Sequence, residues 1–207
     1  MANVIGKSPV HINRQCFEVE FDDGTAVVSD ADHPWMTEER GKRLSSTYEW
    51  TTKKVATKDL RPGKHFIWNN KPICGPDADL ELDPYVLGFW LGDGKAGTAY
   101  IYPGDDDLPE VRDIVESRGF ETRTKKPAKG HSALLVRGAS TKLREMGVLF
   151  EKSIPAHYLR ASVGQRLDLL RGLMDSDGSI SVSSRQCSFS TINESLASGM
   201  FELLVRS

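Results

Sequence analysis

Two stretches of the sequence, "VLGFWLGDG" at 86–94 and "LRGLMDSDG" at 170–178, repeat one pattern: an apolar helical turn with an interior glycine, ending in acid and glycine. Gly88 aligns with Gly172, Asp93 with Asp177 and Gly94 with Gly178, at a constant offset of 84. A glycine inside a helix costs about 1 kcal/mol relative to alanine, so its recurrence asks for a packing reason. Gly88 and Gly92 are four apart, as are Gly172 and Ser176, which gives each helix a strip of small residues where two backbones can approach. Helices packed along these strips would bring Asp93 and Asp177 side by side. A carboxylate at the negative end of a helix is disfavoured by about 0.3–1 kcal/mol unless something answers it. The acidic ends therefore ask for a metal, a basic partner or a turn.

Two carboxylates converging on two negative helix ends repel each other, and a divalent cation is the natural remedy. Magnesium suits hard oxygen ligands, and sites with few carboxylates complete their shell with water and phosphate oxygens, so phosphodiester hydrolysis is the leading chemistry. An EF-hand fails, because Gly178 as loop position six would put Leu173 at position one. The net charge of −2 gives no hint of nucleic acid, but the charge is segregated. Residues 118–144 hold eight Lys and Arg against one acid, Glu121, while "PDADLELD" at 76–83 holds four acids and no base.

That acidic block also marks a change of pattern. Before it the chain reads as β-rich: "QCFEVEFDDGTAVVS" is two strands around an Asp23-Gly24 turn, with short strands near 44–56 and a turn at "LRPGK". After it Asp83 and Pro84 cap and start a helix. A helix at about 108–118, strands near 120–124 and 132–137, a short helix at 140–147, a helix running to 177, strands near 179–183 and 187–191 and a helix at about 193–206 follow. With 207 residues, 39% of them hydrophobic, the chain can bury a real core. No apolar run approaches the roughly 20 residues of a membrane span, and no signal peptide opens the chain, which points to the cytoplasm and to no membrane partner. Cys16, Cys74 and Cys187 are odd in number and far apart, and so read as ordinary thiols.

"LGFWLGDG" and "LLRGLMDSDG" resemble the two signature helices of the LAGLIDADG homing endonucleases, in their single-chain form. The resemblance implies an α+β fold of pseudo-twofold αββαββα repeats, the first at 76–162 and the second, incomplete, at 163–207. It implies that Asp93 and Asp177 bind Mg²⁺ or Mn²⁺ as catalytic residues, that four-stranded sheets sit in the major groove of double-stranded DNA, and that a complete chain is monomeric. Asp175 has no acidic counterpart, since Leu91 stands there in the first motif. "EKSIP" is similar to the context of the family's lysine near the scissile phosphates, which makes Lys152 the candidate. Arg123, Lys125, Lys126, Lys129 and Arg137, on or between the strands at 120–137, are the expected DNA contacts, joined by Arg185 and Gln186 in the loop of the second repeat.

Residues 1–75, through "FEVEFDDGTAVVSDADHPWMT" and "DLRPGKHF", resemble part of the Hint fold of inteins, the self-splicing elements that often carry such an endonuclease. The resemblance implies that His33 polarises a scissile peptide, although Asp30-Ala31-Asp32-His33 replaces the usual Thr-x-x-His. Trp35 reads either as the tryptophan of inteins that lack an N-terminal nucleophile or as a core residue. Arg40, Lys42, Arg43, Lys53, Lys54, Lys58, Arg61 and Lys64 would extend the DNA contact surface. Met1-Ala2-Asn3 is no splice junction and no His-Asn end is present, so the expectation is a fragment whose partner would be a host protein. Three functions follow: a metal-dependent, site-specific endonuclease borne by an intein, a peptide-rearranging module, or a nuclease-inactive DNA-binding remnant or maturase-like protein.

Overall fold

The Asp23-Gly24 turn closes a hairpin of β1 (Cys16–Glu20) on β2 (Ala26–Asp30), paired from Glu20↔Ala26 to Cys16↔Asp30. Asp23 fixes the turn by accepting from the Thr25 backbone N–H at 2.9 Å and its hydroxyl at 2.7 Å, while Gly24 takes a φ of 82°. The computed structural model describes residues 5–7, 9–44, 47–68, 72, 74–126 and 130–206. They fall into two units, Met1–Asn70 and Lys71–Ser207.

The first unit continues with β3 (Pro34–Leu44) and β4 (Thr47–Ala56), one long antiparallel hairpin in place of the expected short strands near 44–56. Alternating Trp35, Thr37 and Glu39 opposite Val55, Lys53 and Thr51 sustain it, and the register shifts between Arg40 and Arg43. After the "LRPGK" turn, β5 (His65–Phe66) adds to the other edge of β3.

In the second unit α1 (Pro84–Asp93) starts where expected, its Asp83 carboxylate accepting from the Tyr85 and Val86 N–H groups. Every residue from Pro84 to Leu91 is buried, the signature of a central helix. The order then runs β6 (Tyr100–Ile101), α2 (Leu108–Ser117), β7 (Thr122–Lys125), β8 (Ala133–Val136), α3 (Ala139–Glu145), α4 (Ala156–Leu159), α5 (Val163–Asp177), β9 (Gly178–Ser181), β10 (Gln186–Phe189) and α6 (Glu194–Arg206). One antiparallel sheet is ordered β6-β8-β7, and among the described residues β9 pairs with β10 alone.

The architecture is mixed α and β, as expected. The αββαββα order is not what the first half shows among the described residues: it runs α1-β6-α2-β7-β8-α3. The chain turns back directly after α1, with Lys95 N–H bonded to Tyr100 O, Tyr102 N–H to Asp93 O and Gly97 at a φ of 78°. That leaves a single bridge, Gly94↔Ile101, where the first strand would stand.

Candidate active site at the ends of two packed helices

α1 and α5 meet at their glycines. A Cβ on Gly88 would strike the Leu169 carbonyl and sit 2.9 Å from the Leu173 nitrogen; one on Gly172 would strike the Tyr85 carbonyl and sit 2.8 Å from the Phe89 nitrogen. One turn on, a Cβ on Gly92 would strike the Ser176 hydroxyl and lie 3.2 Å from Asp177 Oδ2. The Asp177 carboxylate therefore lies against the residue preceding Asp93.

The electrostatics reflect that approach. The Asp93 carboxyl is held above its ordinary range by burial first and by the Asp177 charge second, with Lys152 acting against both. Lys152 is half-buried; its ammonium donates to the Gly92 carbonyl at 2.7 Å and lies 5.3 Å from the Trp90 ring centre. Burial pulls its pKa down, while Asp177 and Asp93 raise it. Gly92, Lys152 and Asp177 line a cleft shared with Ser190, Thr191, Ile192 and Asn193.

Among the described residues no three His, Cys, Asp or Glu gather as a closed metal site. Two carboxylates with open surroundings fit a hard cation that takes the rest of its shell from water and phosphate oxygens, and do not fit a closed structural zinc site.

Sequence reasoning missed three features here. Asp175 is taken up by the Tyr85 hydroxyl, which donates to it at 2.9 Å, and the Arg118 guanidinium stacks on that ring at 4.7 Å. Arg118 also bonds Asp83 at 3.1 Å, so it serves the α1 cap. Asn193 donates from its amide to the Lys152 carbonyl at 2.8 Å while its own oxygen accepts from Leu196 N–H at the start of α6. The cap at Asn193 is readable in "TINES"; its link to a residue 41 positions away is not.

On β7, Arg123 and Lys125 are exposed and alternate with half-buried Thr122 and Thr124, so both project from the outer face, Arg123 opposite Leu135. Lys126 is exposed just beyond β7, and Arg137 is exposed and paired with Glu121 at 3.2 Å. Lys129 lies outside the described residues. Arg185 sits in the β9–β10 turn at a φ of 53°, but Gln186 is the first residue of β10, opposite Ser181, and not a loop residue: the turn closes one residue earlier than its polar sequence suggests.

In the first unit, His33 is exposed, with its ring 5.4 Å from that of Trp35. The Trp35 indole N–H donates to the Thr57 hydroxyl at 2.9 Å, and the Thr57 N–H bonds the His33 carbonyl at 3.0 Å. Several bases named as DNA contacts are paired instead: Lys53 and Lys64 with Glu39, and Lys58 with Asp32 at 2.7 Å.

Residues 164–206 match the LAGLIDADG-like domain. Over 224 aligned residues, 98% of the chain, the sequence is 35% identical to the replicative DNA helicase DnaB of Mycobacterium intracellulare. A 34-residue stretch, 16% of the chain, is 47% identical to 6% of the replicative DNA helicase DnaB of Mycobacterium leprae. The chain spans 36% of the length of the M. intracellulare protein. No described helix is long and apolar enough to cross a membrane.

Proposed function

We propose that this chain is the endonuclease-bearing part of an intein lodged in a replicative helicase, and that it makes a site-specific, divalent-metal-dependent double-strand break in DNA. The observation that carries the reading is the approach of Asp177 to Gly92 and Asp93 at the α1–α5 helix ends, beside the half-buried Lys152 ammonium. The LAGLIDADG-like match over 164–206 and the near-complete coverage of the chain by one third of a helicase support it.

In this reading Asp93 and Asp177 hold the metal, whose bound state supplies Lewis-acid stabilisation of the phosphate and an activated water. Lys152 stands where it can stabilise charge developing on the phosphate, and its bond to the Gly92 carbonyl keeps it oriented. Arg123, Lys125 and Lys126, unpaired with acids among the described residues, take backbone phosphates, whereas Arg137 must first leave Glu121. Asp93 is half-buried and Asp177 exposed, and burial together with the Asp177 charge disfavours ionised Asp93 until a cation answers it.

The test is cleavage of DNA spanning the uninterrupted helicase gene, with Mg²⁺ or with chelator. Site-specific cutting that needs the metal and disappears in Asp93→Asn and Asp177→Asn, with DNA binding retained, is the expected result. Equal cutting by those variants would remove the metal roles.

A second reading, a splicing-deficient and nuclease-inactive DNA-binding or maturase-like protein, draws on Asp30-Ala31-Asp32-His33. Arg14 engages both acids, at 2.7 and 2.8 Å, where a threonine would lead the motif. Metal-independent binding without cutting would favour it.

A further inference from the structure

We infer that Asn193 is a positioning residue for Lys152, holding the backbone from which the lysine reaches the cleft; the inference deepens the endonuclease reading and rests on it. Lys152 stands in the irregular stretch between α3 and α4, where no helix or strand fixes the chain. Its side chain is anchored at the tip by the bond to the Gly92 carbonyl, and a flexible four-carbon stem leaves that tip only as well placed as the backbone beneath it. The backbone is held from α6: the Asn193 amide donates to the Lys152 carbonyl at 2.8 Å, across 41 residues. Buried Ile154, just beyond, lies against the same helix, where a Cβ on Gly199 would come within 3.2 Å of the Ile154 Cβ. α6 can serve as the anchor because Leu196, Met200 and Leu203 are buried in the core.

The choice of asparagine is chemical. The start of α6 needs an acceptor for the Leu196 N–H, which the Asn193 side-chain oxygen supplies at 3.1 Å, and serine, threonine or aspartate would cap as well. Asparagine alone of the four carries, beside that acceptor, donors on a second atom. With its oxygen committed to the cap, its amide nitrogen is turned to the Lys152 carbonyl, so one side chain starts α6 and fixes the lysine. The Thr191 hydroxyl accepts from the Asn193 N–H at 3.2 Å and holds the turn. β9 and β10 lead from Asp177 back to this turn, and Asn193 lines the cleft together with Lys152 and Asp177. A displacement of about 1 Å at a reacting group can cost about a hundredfold in rate, so Asn193 acts on cutting through Lys152 rather than by contact with the reacting atoms.

The experiment reads the full chain in two ways. Acylation of Lys152 by acetic anhydride, followed by mass spectrometry with exposed Lys95 as reference, needs neither DNA nor cutting. Lys152 should be protected in the wild type and lose that protection in Asn193→Ser and Asn193→Ala, both of which lack the amide. Single-turnover cutting should fall about tenfold or more in both, at unchanged DNA affinity, and should fall no further when either is added to Lys152→Met. A role confined to the helix cap predicts instead that serine, which keeps the cap, behaves as wild type and that only alanine fails. Circular dichroism checks that each chain is folded. Unchanged protection in Asn193→Ser overturns the inference, and so do wild-type cutting rates in that variant or losses that add to those of Lys152→Met. A wild type that cuts no DNA fails the endonuclease reading instead, and the acylation still decides the tether.

Discussion

Gly88 and Gly172 stand on facing helices, each at the point where a methyl group would collide with the other helix's backbone. A backbone cannot yield as a flexible side chain can. Gly88→Ala and Gly172→Ala should each destabilise the chain by about 1–3 kcal/mol, even though alanine favours a helix by about 1 kcal/mol. Gly164, also in α5, is the control: its Cβ would meet only Ser162 Oγ at 3.9 Å. Gly164→Ala should be neutral or stabilising by up to about 1 kcal/mol. Chemical denaturation of the three variants measures the contrast, and equal losses at all three would show that the crossing tolerates a methyl.

Asp93 is half-buried and faces the Asp177 charge, so ionising it costs stability in the absence of a cation. Asp93→Asn should stabilise the metal-free chain by about 0.5–1 kcal/mol, after allowing for solvent screening, or a few degrees in melting temperature. Wild type should melt higher with Mg²⁺ and the variant should not respond. Calorimetry with and without chelator decides this independently of any DNA substrate.

Lys152 reaches the Gly92 carbonyl from a half-buried position, and burial already disfavours its charge. Lys152→Met should therefore fold with little loss and still bind DNA. On the proposed function, cutting should fall about 10²–10³-fold, the effect of removing one preorganised charged donor. Single-turnover cleavage under saturating DNA separates this from weaker binding.

The elements that local chemistry dictates were readable in advance. Asp83-Pro84 announces the start of α1, Asp23-Gly24 the first hairpin, and the repeated glycines a close helix contact. Long-range pairing was not readable. Arg118 belongs to a basic run, yet its acceptors are Asp83, the cap of α1, and Asp168 in α5, 35 and 50 residues away. Lys53 and Lys64 looked like phosphate ligands until β3 brought Glu39 between them. β3 opens at Pro34, well before the short strands expected near 44–56, and the first residue of a strand tolerates proline.

Glu39 supplies the last prediction. Hydrogen bonds from Lys53 first and Lys64 second draw its carboxyl down from 4.5 to about 2. A carboxyl whose folded pKa is depressed stabilises the fold fully above its unfolded value and loses that contribution as pH falls toward the folded one. The contribution of this triad should thus be intact above about pH 5 and disappear between about pH 4.5 and 2. Other carboxylates titrate in the same range, so the informative quantity is the difference between wild type and Glu39→Gln. That difference should be present at pH 6 and shrink to nothing near pH 2. A carboxyl titration followed by NMR should place the Glu39 midpoint near 2; a midpoint near 4.5 would mean that the two lysines do not hold it in solution.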